Sequence, residues 1–239
     1  MDVDLTAPNS GFQTLLENPN ELIVVDANFY LPPDRTKAGA KQKYSFEEYK
    51  EIWIDPMLKR FPNMAIHEAV FTELVDSKSS QFARACLTAD PQTLHLLSDM
   101  TLTPAEEAIR KTKEQLIARY TNYDPFRDNK DDRGEVKSLA HMGTVGYTYF
   151  STHDAKALRL IEEAERLGTT LDELQTIHFY EGIYFLFKMG DIDKETARKL
   201  YRYQYFLTKR EKQQNPSWDA FCTGMDKLYT LENAEKPDA

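Results

Sequence analysis

No stretch of this chain approaches the roughly 18–20 apolar residues that a membrane-spanning helix needs. The first residues carry neither a basic region nor an apolar core, so no secretory signal is expected. The two cysteines, Cys86 and Cys222, stand too far apart for a metal-ligand spacing and argue for a reducing compartment. There is no internal repeat and no low-complexity run. The glycines form no phosphate cradle, and no Ser-His-Asp or Cys-His arrangement is evident. Positive charge is also short. The net charge of −9 opposes a protein that coats nucleic acid along its surface. It does not oppose a nuclease whose acids gather at a metal site, because bound divalent cations invert the local field. These absences describe a soluble, cytoplasmic protein with no membrane partner.

What is present is core. The 239 residues are 41% hydrophobic and 12% aromatic, enough for one large domain or a domain with a sizeable extension. Short β-branched or apolar runs at 22–26, 64–67, 93–97, "YTYFST" and "LQTIHF" read as five strands. Helical patterns separate them. "SFEEYKEIW" leads to Asp55-Pro56, where the helix should break or restart. "TPAEEAIRKTKEQLIARY" opens with Thr103 and Glu106 in capping-box register, with Pro104 at the first helical position. Alternation of this kind predicts a three-layer α/β/α fold around a central, mostly parallel sheet of about five strands. Residues 1–190 would form it. Residues 191–239 would add a helical extension packed on the domain, with the last ten or so residues disordered. The loop "LPPDRTKAGAKQK" is expected to be mobile.

In open parallel sheets, ligands bind beyond the carboxyl ends of the strands. Asp26 ends the first strand, with Asn28 two residues on. Glu73 should lie about one and a half turns into the helix after strand two. Asp132 and Glu135, in "DDRGE", open the helix before strand four, and Asp154 follows strand four directly. Each acid has an ordinary structural explanation. Asp26 could bond the amides of its own turn, Asp132 could cap its helix with Glu135 at N3, and Asp154 could start the next one. Together they would repel one another unless a cation compensates, and hard oxygen ligands suit Mg²⁺ or Mn²⁺.

"LIVVDANFY", "AIHEAVFTELV", "DDRGEVKSLAHMG" and "YTYFSTHDAKAL", in that order, resemble a PIN-domain protein over roughly residues 21–190. The resemblance implies a parallel sheet flanked by helices. It also implies a Mg²⁺- or Mn²⁺-dependent nuclease hydrolysing phosphodiester bonds, of RNA in many members. It makes Asp26, Glu73, Glu135 and Asp154 the catalytic acids, and these four with Asp132 the metal ligands. Asn28 and Thr152 match polar residues beside the first and last acids. Single-stranded or structured RNA would be the partner, with a protein such as an antitoxin as a further one. His153 departs from the family pattern, and the segments 31–45 and 78–130 are long for it.

Three functions therefore stand open: a metal-dependent nuclease, a catalytically silent PIN-like binding or assembly module, and a different metal-dependent phosphohydrolase. The last is weakest, since "DAN" lacks an aspartate two residues after Asp26. Of the histidines, His67 and His178 read as packed core, and His141 and His153, nearer the acids, as non-ligands. The stretch 188–212 interleaves Arg198, Lys199 and Arg202 with Tyr201, Tyr203 and Tyr205. An amphipathic helix with its aromatics in the core is favoured there over a substrate grip. Lys37, Lys41 and Lys43 form a second candidate grip.

Overall fold

The computed structural model, which describes residues 2–74 and 78–229, is built around five parallel strands. After α1 (Ser10–Glu17) comes β1 (Ile23–Val25), the central strand. Then come α2 (Phe46–Tyr49), a five-residue π segment Lys50–Ile54, and α3 (Asp55–Arg60). The helix does not break at Asp55-Pro56. The Asp55 amide instead bonds the Lys50 carbonyl, an i→i−5 step that carries the helix past a proline with no amide to give. Next are β2 (Met64–His67), the single turn α4 (Glu68–Phe71), α5 (Lys78–Thr88) and β3 (Leu94–Leu97). The capping box at Thr103 and Glu106 starts α6 (Pro104–Ala118) as read from the sequence. It is followed by α7 (Arg133–Val145), β4 (Tyr149–Thr152), α8 (Ala155–Glu162), α9 (Ala164–Leu167), β5 (Gln175–His178) and α10 (Phe179–Lys188).

The strand order is β3-β2-β1-β4-β5, so the chain reverses direction across the sheet between β1 and β4. Alternate residues serve opposite layers. Ile23, Val25, Met64, Ile66 and Ile177 join one hydrophobic cluster, while Val24, Ala65 and Phe150 join the other. This is the three-layer α/β/α arrangement, and each face is closed by helices because both faces are apolar. Among the described residues, no helix is long and apolar enough to cross a membrane.

The C-terminal extension is helical and forms three helices: α11 (Lys194–Tyr205), α12 (Lys209–Gln214) and α13 (Trp218–Leu228). Tyr201, Tyr205, Trp218 and Phe221 belong to the same cluster as Ile23 and Val25. Tyr201 stacks on Phe221 at 4.4 Å, and Phe221 meets Tyr184 of α10 edge-on. Two of the three interleaved tyrosines are thus core, while Arg198, Lys199 and Arg202 are exposed. The expected disorder of the last ten or so residues falls on 230–239, outside the described residues.

Helix α10 lies under the sheet because Gly182 lets Trp53 approach. A Cβ there would sit 2.7 Å from the Trp53 ring, which is itself buried and packed at a tilt against Phe179. Overpacking of about 1–3 kcal/mol should outweigh the ~1 kcal/mol that alanine gains in helix propensity. Gly182→Ala is therefore expected to lower the urea midpoint of unfolding, and an unchanged or raised midpoint would contradict this packing.

Candidate metal centre at the strand ends

β1 and β4 are neighbours in register, Val25 opposite Ser151, so their next residues emerge side by side at the switch point. Asp26 caps the short 3₁₀ turn Ala27–Phe29, its Oδ1 accepting from the Ala27 amide at 2.7 Å. Its Oδ2 accepts from Asn28 Nδ2 at 2.7 Å and from the Thr152 hydroxyl at 3.1 Å. The Thr152 hydroxyl in turn accepts from Asn28 Nδ2 and from the Asp154 amide, both at 3.0 Å. Asn28 and Thr152 therefore fix the Asp26 carboxylate and join it to the start of α8, where Asp154 bonds the Lys156 amide at 2.7 Å. Only 8% of Asp26 is exposed. Burial, with Asp154 adding to it, pushes its pKa up to about 6 despite the bonds from Ala27 and Thr152.

Glu135 enters from the first turn of α7. It too is buried, and its Oε1 has no hydrogen-bond partner. Burial and the charges of Asp154, Asp26 and Asp132 raise its pKa to about 9, with Lys156 opposing. A buried carboxylate oxygen left open is rare and costly in a resting protein.

Glu73 is not inside the helix after β2, as expected from the sequence. α4 ends at Phe71, and Glu73 lies in the turn beyond it. The residue as a whole is exposed, but its Oε1 turns inward and accepts from the Gly134 amide at 2.9 Å. A Cβ on Gly134 would come within 2.4 Å of that oxygen, so only glycine admits this contact. Burial, with Asp26 and Asp132 adding, pushes Glu73 up to about 7 against the Gly134 bond and Arg133. Asp132 also departs from the capping expectation. It precedes α7 in a left-handed conformation (φ 54°) and makes no cap bond; its Oδ2 accepts from the Asn122 amide at 2.8 Å. Lys156 Nζ, 3.4 Å from the same oxygen, is the nearby cation that sequence reasoning overlooked.

Asp26, Glu73 and Glu135 are thus each raised by neighbouring acids of the group, but the five do not form a closed ligand shell. Among the described residues, only His67, Asp99 and His141 bring three candidate ligand atoms within 4.8 Å of one another. The open Glu135 oxygen and an all-oxygen donor set fit a hard divalent cation.

The His67–Asp99–His141 group is of another kind. The Ala69 amide donates to His67 Nδ1 at 3.2 Å, so Nε2 carries the proton and donates to Asp99 Oδ1 at 3.3 Å. A ligating imidazole needs the opposite, a donor at its far nitrogen. His141 Nδ1 bonds the same oxygen at 3.0 Å, and Arg110 Nε lies 3.2 Å from Oδ2. Burial raises the Asp99 carboxyl, but the two imidazoles and Arg110 outweigh it and hold it well below the usual carboxylate range. His67, read as packed core, and His141, read as a non-ligand, both belong to a polar network around Asp99 whose ligand atoms lie close enough to one another to hold an ion. Asp99 went unnoticed in the sequence, although it follows the third strand by the rule that singled out Asp26.

No family model matches the chain, and neither a curated protein nor a solved structure does.

Two outcomes are expected. Asp26, Glu73 and Glu135 all have raised folded-state pKa values, so the native state binds more protons than the unfolded chain above the ordinary carboxylate range. The stability that these three groups contribute is then present at low pH and is lost as pH climbs toward about 9. Urea midpoints in EDTA at about pH 5, 7 and 9 should fall with pH, and Glu135→Gln should flatten the fall. A rise with pH would contradict the assignment. Asp99→Asn, in contrast, should cost about 1–3 kcal/mol of stability by unpairing Arg110 and an imidazole. It should leave Mn²⁺ affinity unchanged by calorimetry; a lost Mn²⁺ isotherm would move the metal to Asp99.

Proposed function

We propose that this chain is a Mg²⁺- or Mn²⁺-dependent nuclease of PIN type, acting on RNA in the cytoplasm. The observation that carries the reading is the open Oε1 of buried Glu135, a residue within electrostatic reach of Asp26 and Asp154 at the topological switch point. Asp26, Glu135 and Asp154 would hold the ion, with Glu73 and Asp132 at its rim. A divalent ion bound there supplies positive charge and a more acidic water for in-line displacement at a phosphodiester. The chain's own residues do the positioning. Thr152 and Asn28 lock the Asp26 carboxylate in one orientation. The Gly134 amide holds Glu73 against the N-terminus of α7. Lys156 offsets part of the acidic charge without occupying Oε1 of Glu135.

A silent PIN-like binding module is the second reading, favoured by the spread of the carboxylates. Mn²⁺ titrated by calorimetry into wild type and Asp26→Asn, with the same samples incubated with labelled single-stranded RNA and DNA, separates the two. The nuclease reading expects cleavage and Mn²⁺ binding to drop at least about a hundredfold in the variant while the fold is kept. Wild type that binds no Mn²⁺ at millimolar concentration and cleaves neither substrate would leave the binding module.

A further inference from the structure

Two basic segments that lie some 160 residues apart in the sequence meet at one place in the fold. The loop after β1 is docked on α11 and α12. Arg35 Nη1 donates to the Gln204 carbonyl at 2.8 Å, and its Nη2 pairs with Glu211. The Tyr203 hydroxyl donates to the Pro33 carbonyl at 3.0 Å, and Tyr44 meets the Tyr203 ring edge-on at 4.9 Å. Between loop and helices lies a cleft of about 630 Å³, within the range of ordinary ligand sites.

Its walls carry Lys41 and Lys43 from the loop, and Lys199, Arg202 and Lys212 from the helices. Lys199 is paired with Glu195, but Lys41, Lys43, Arg202 and Lys212 form no ion pair among the described residues. The one acid in the lining, Glu48, is occupied by its capping box with Ser45. The half-buried rings of Tyr44, Tyr203 and Phe206 complete the lining. On a chain of net charge −9, this is a local positive island beside aromatic surface.

The cleft also connects with the acids. Tyr44 packs near Tyr49, whose hydroxyl donates to the Asn28 carbonyl at 3.5 Å, and Asn28 bonds Asp26.

We infer that this cleft is a binding site for the backbone of single-stranded nucleic acid, with Lys41, Lys43, Arg202 and Lys212 on phosphates and the aromatic lining beside the bases. Unpaired cations next to aromatic rings suit a flexible strand, whose bases can splay out, better than a duplex, whose base faces are stacked on one another and closed to the rings. The inference rests on the proposed nuclease reading for its purpose, but not for its test.

The test is fluorescence anisotropy of a labelled 12-nucleotide single-stranded RNA in EDTA, over a series of salt concentrations. Wild type would be compared with a triple Lys41→Gln, Arg202→Gln, Lys212→Gln variant. A control would remove three cations elsewhere, by Lys59→Gln, Lys111→Gln and Lys227→Gln, and so change net charge equally. Each lost phosphate contact lowers the log–log salt slope by about 0.7, so the cleft variant should lose about 2 while the control keeps the wild-type slope. Its Kd should weaken at least about tenfold at low salt. Equal behaviour of the two variants, or no binding by wild type, would overturn the site. So would full competition by tripolyphosphate with no dependence on strand length, which would make it a small-anion pocket. Cleavage that persists with an unchanged slope sinks the cleft and spares the nuclease. Cleft-dependent binding without Mn²⁺ binding or cleavage does the reverse.

Discussion

The parallel pairing of β1 with β4 is the constraint on which the site depends. It places Val25 beside Ser151, so Asp26 and Thr152 leave the sheet together and the threonine hydroxyl can reach the carboxylate. Because the strand order reverses here, the helices that follow the two strands diverge and leave a crevice between them. α7 fills one side of that crevice and brings Glu135. Its N-terminus, bare of a side-chain cap, is met by Glu73 from the turn after α4.

Two carboxylate groups at the strand ends illustrate opposite electrostatic solutions. Asp99, after β3, is gripped by two imidazoles and a guanidinium, so its charge is compensated within the protein and its proton is held only weakly. Asp26, Glu73 and Glu135 have hydrogen bonds or one another but little positive charge, so burial raises all three. The first arrangement is complete in itself and ties β2, β3, α6 and α7 together. The second is incomplete, which is the physical ground for proposing that a cation belongs to it.

The C-terminal helices are part of the same packing problem. The aromatic faces of α11 and α13 close over α10, which is buried along nearly its whole length, and this leaves the basic face of α11 outward. The loop after β1 is pinned against them through Arg35 and Tyr203, so lysines on the loop and cations on α11 and α12 share one cleft.

The periodicities of the sequence determined the layered fold: five short apolar runs alternating with helical patterns leave a parallel sheet as the economical way to bury both faces. The capping box at Thr103 and the acids at the ends of β1 and β4 were also legible, because caps and strand ends are local signals. Only tertiary structure decided which acids stand near which. Glu73 was misplaced because one turn of helix ends where the pattern alone suggested continuation. The capping alternative for Asp132 fails because its left-handed backbone leaves no trace in composition. The grip on Asp99 draws on residues from β2, α6 and α7, a juxtaposition that no spacing along the chain records. The same holds for the basic cleft, whose two halves look like separate solvated stretches until the chain folds. Local chemistry is written in runs of a few residues; electrostatic sites are sums over distance in space, and the fold alone sets those distances.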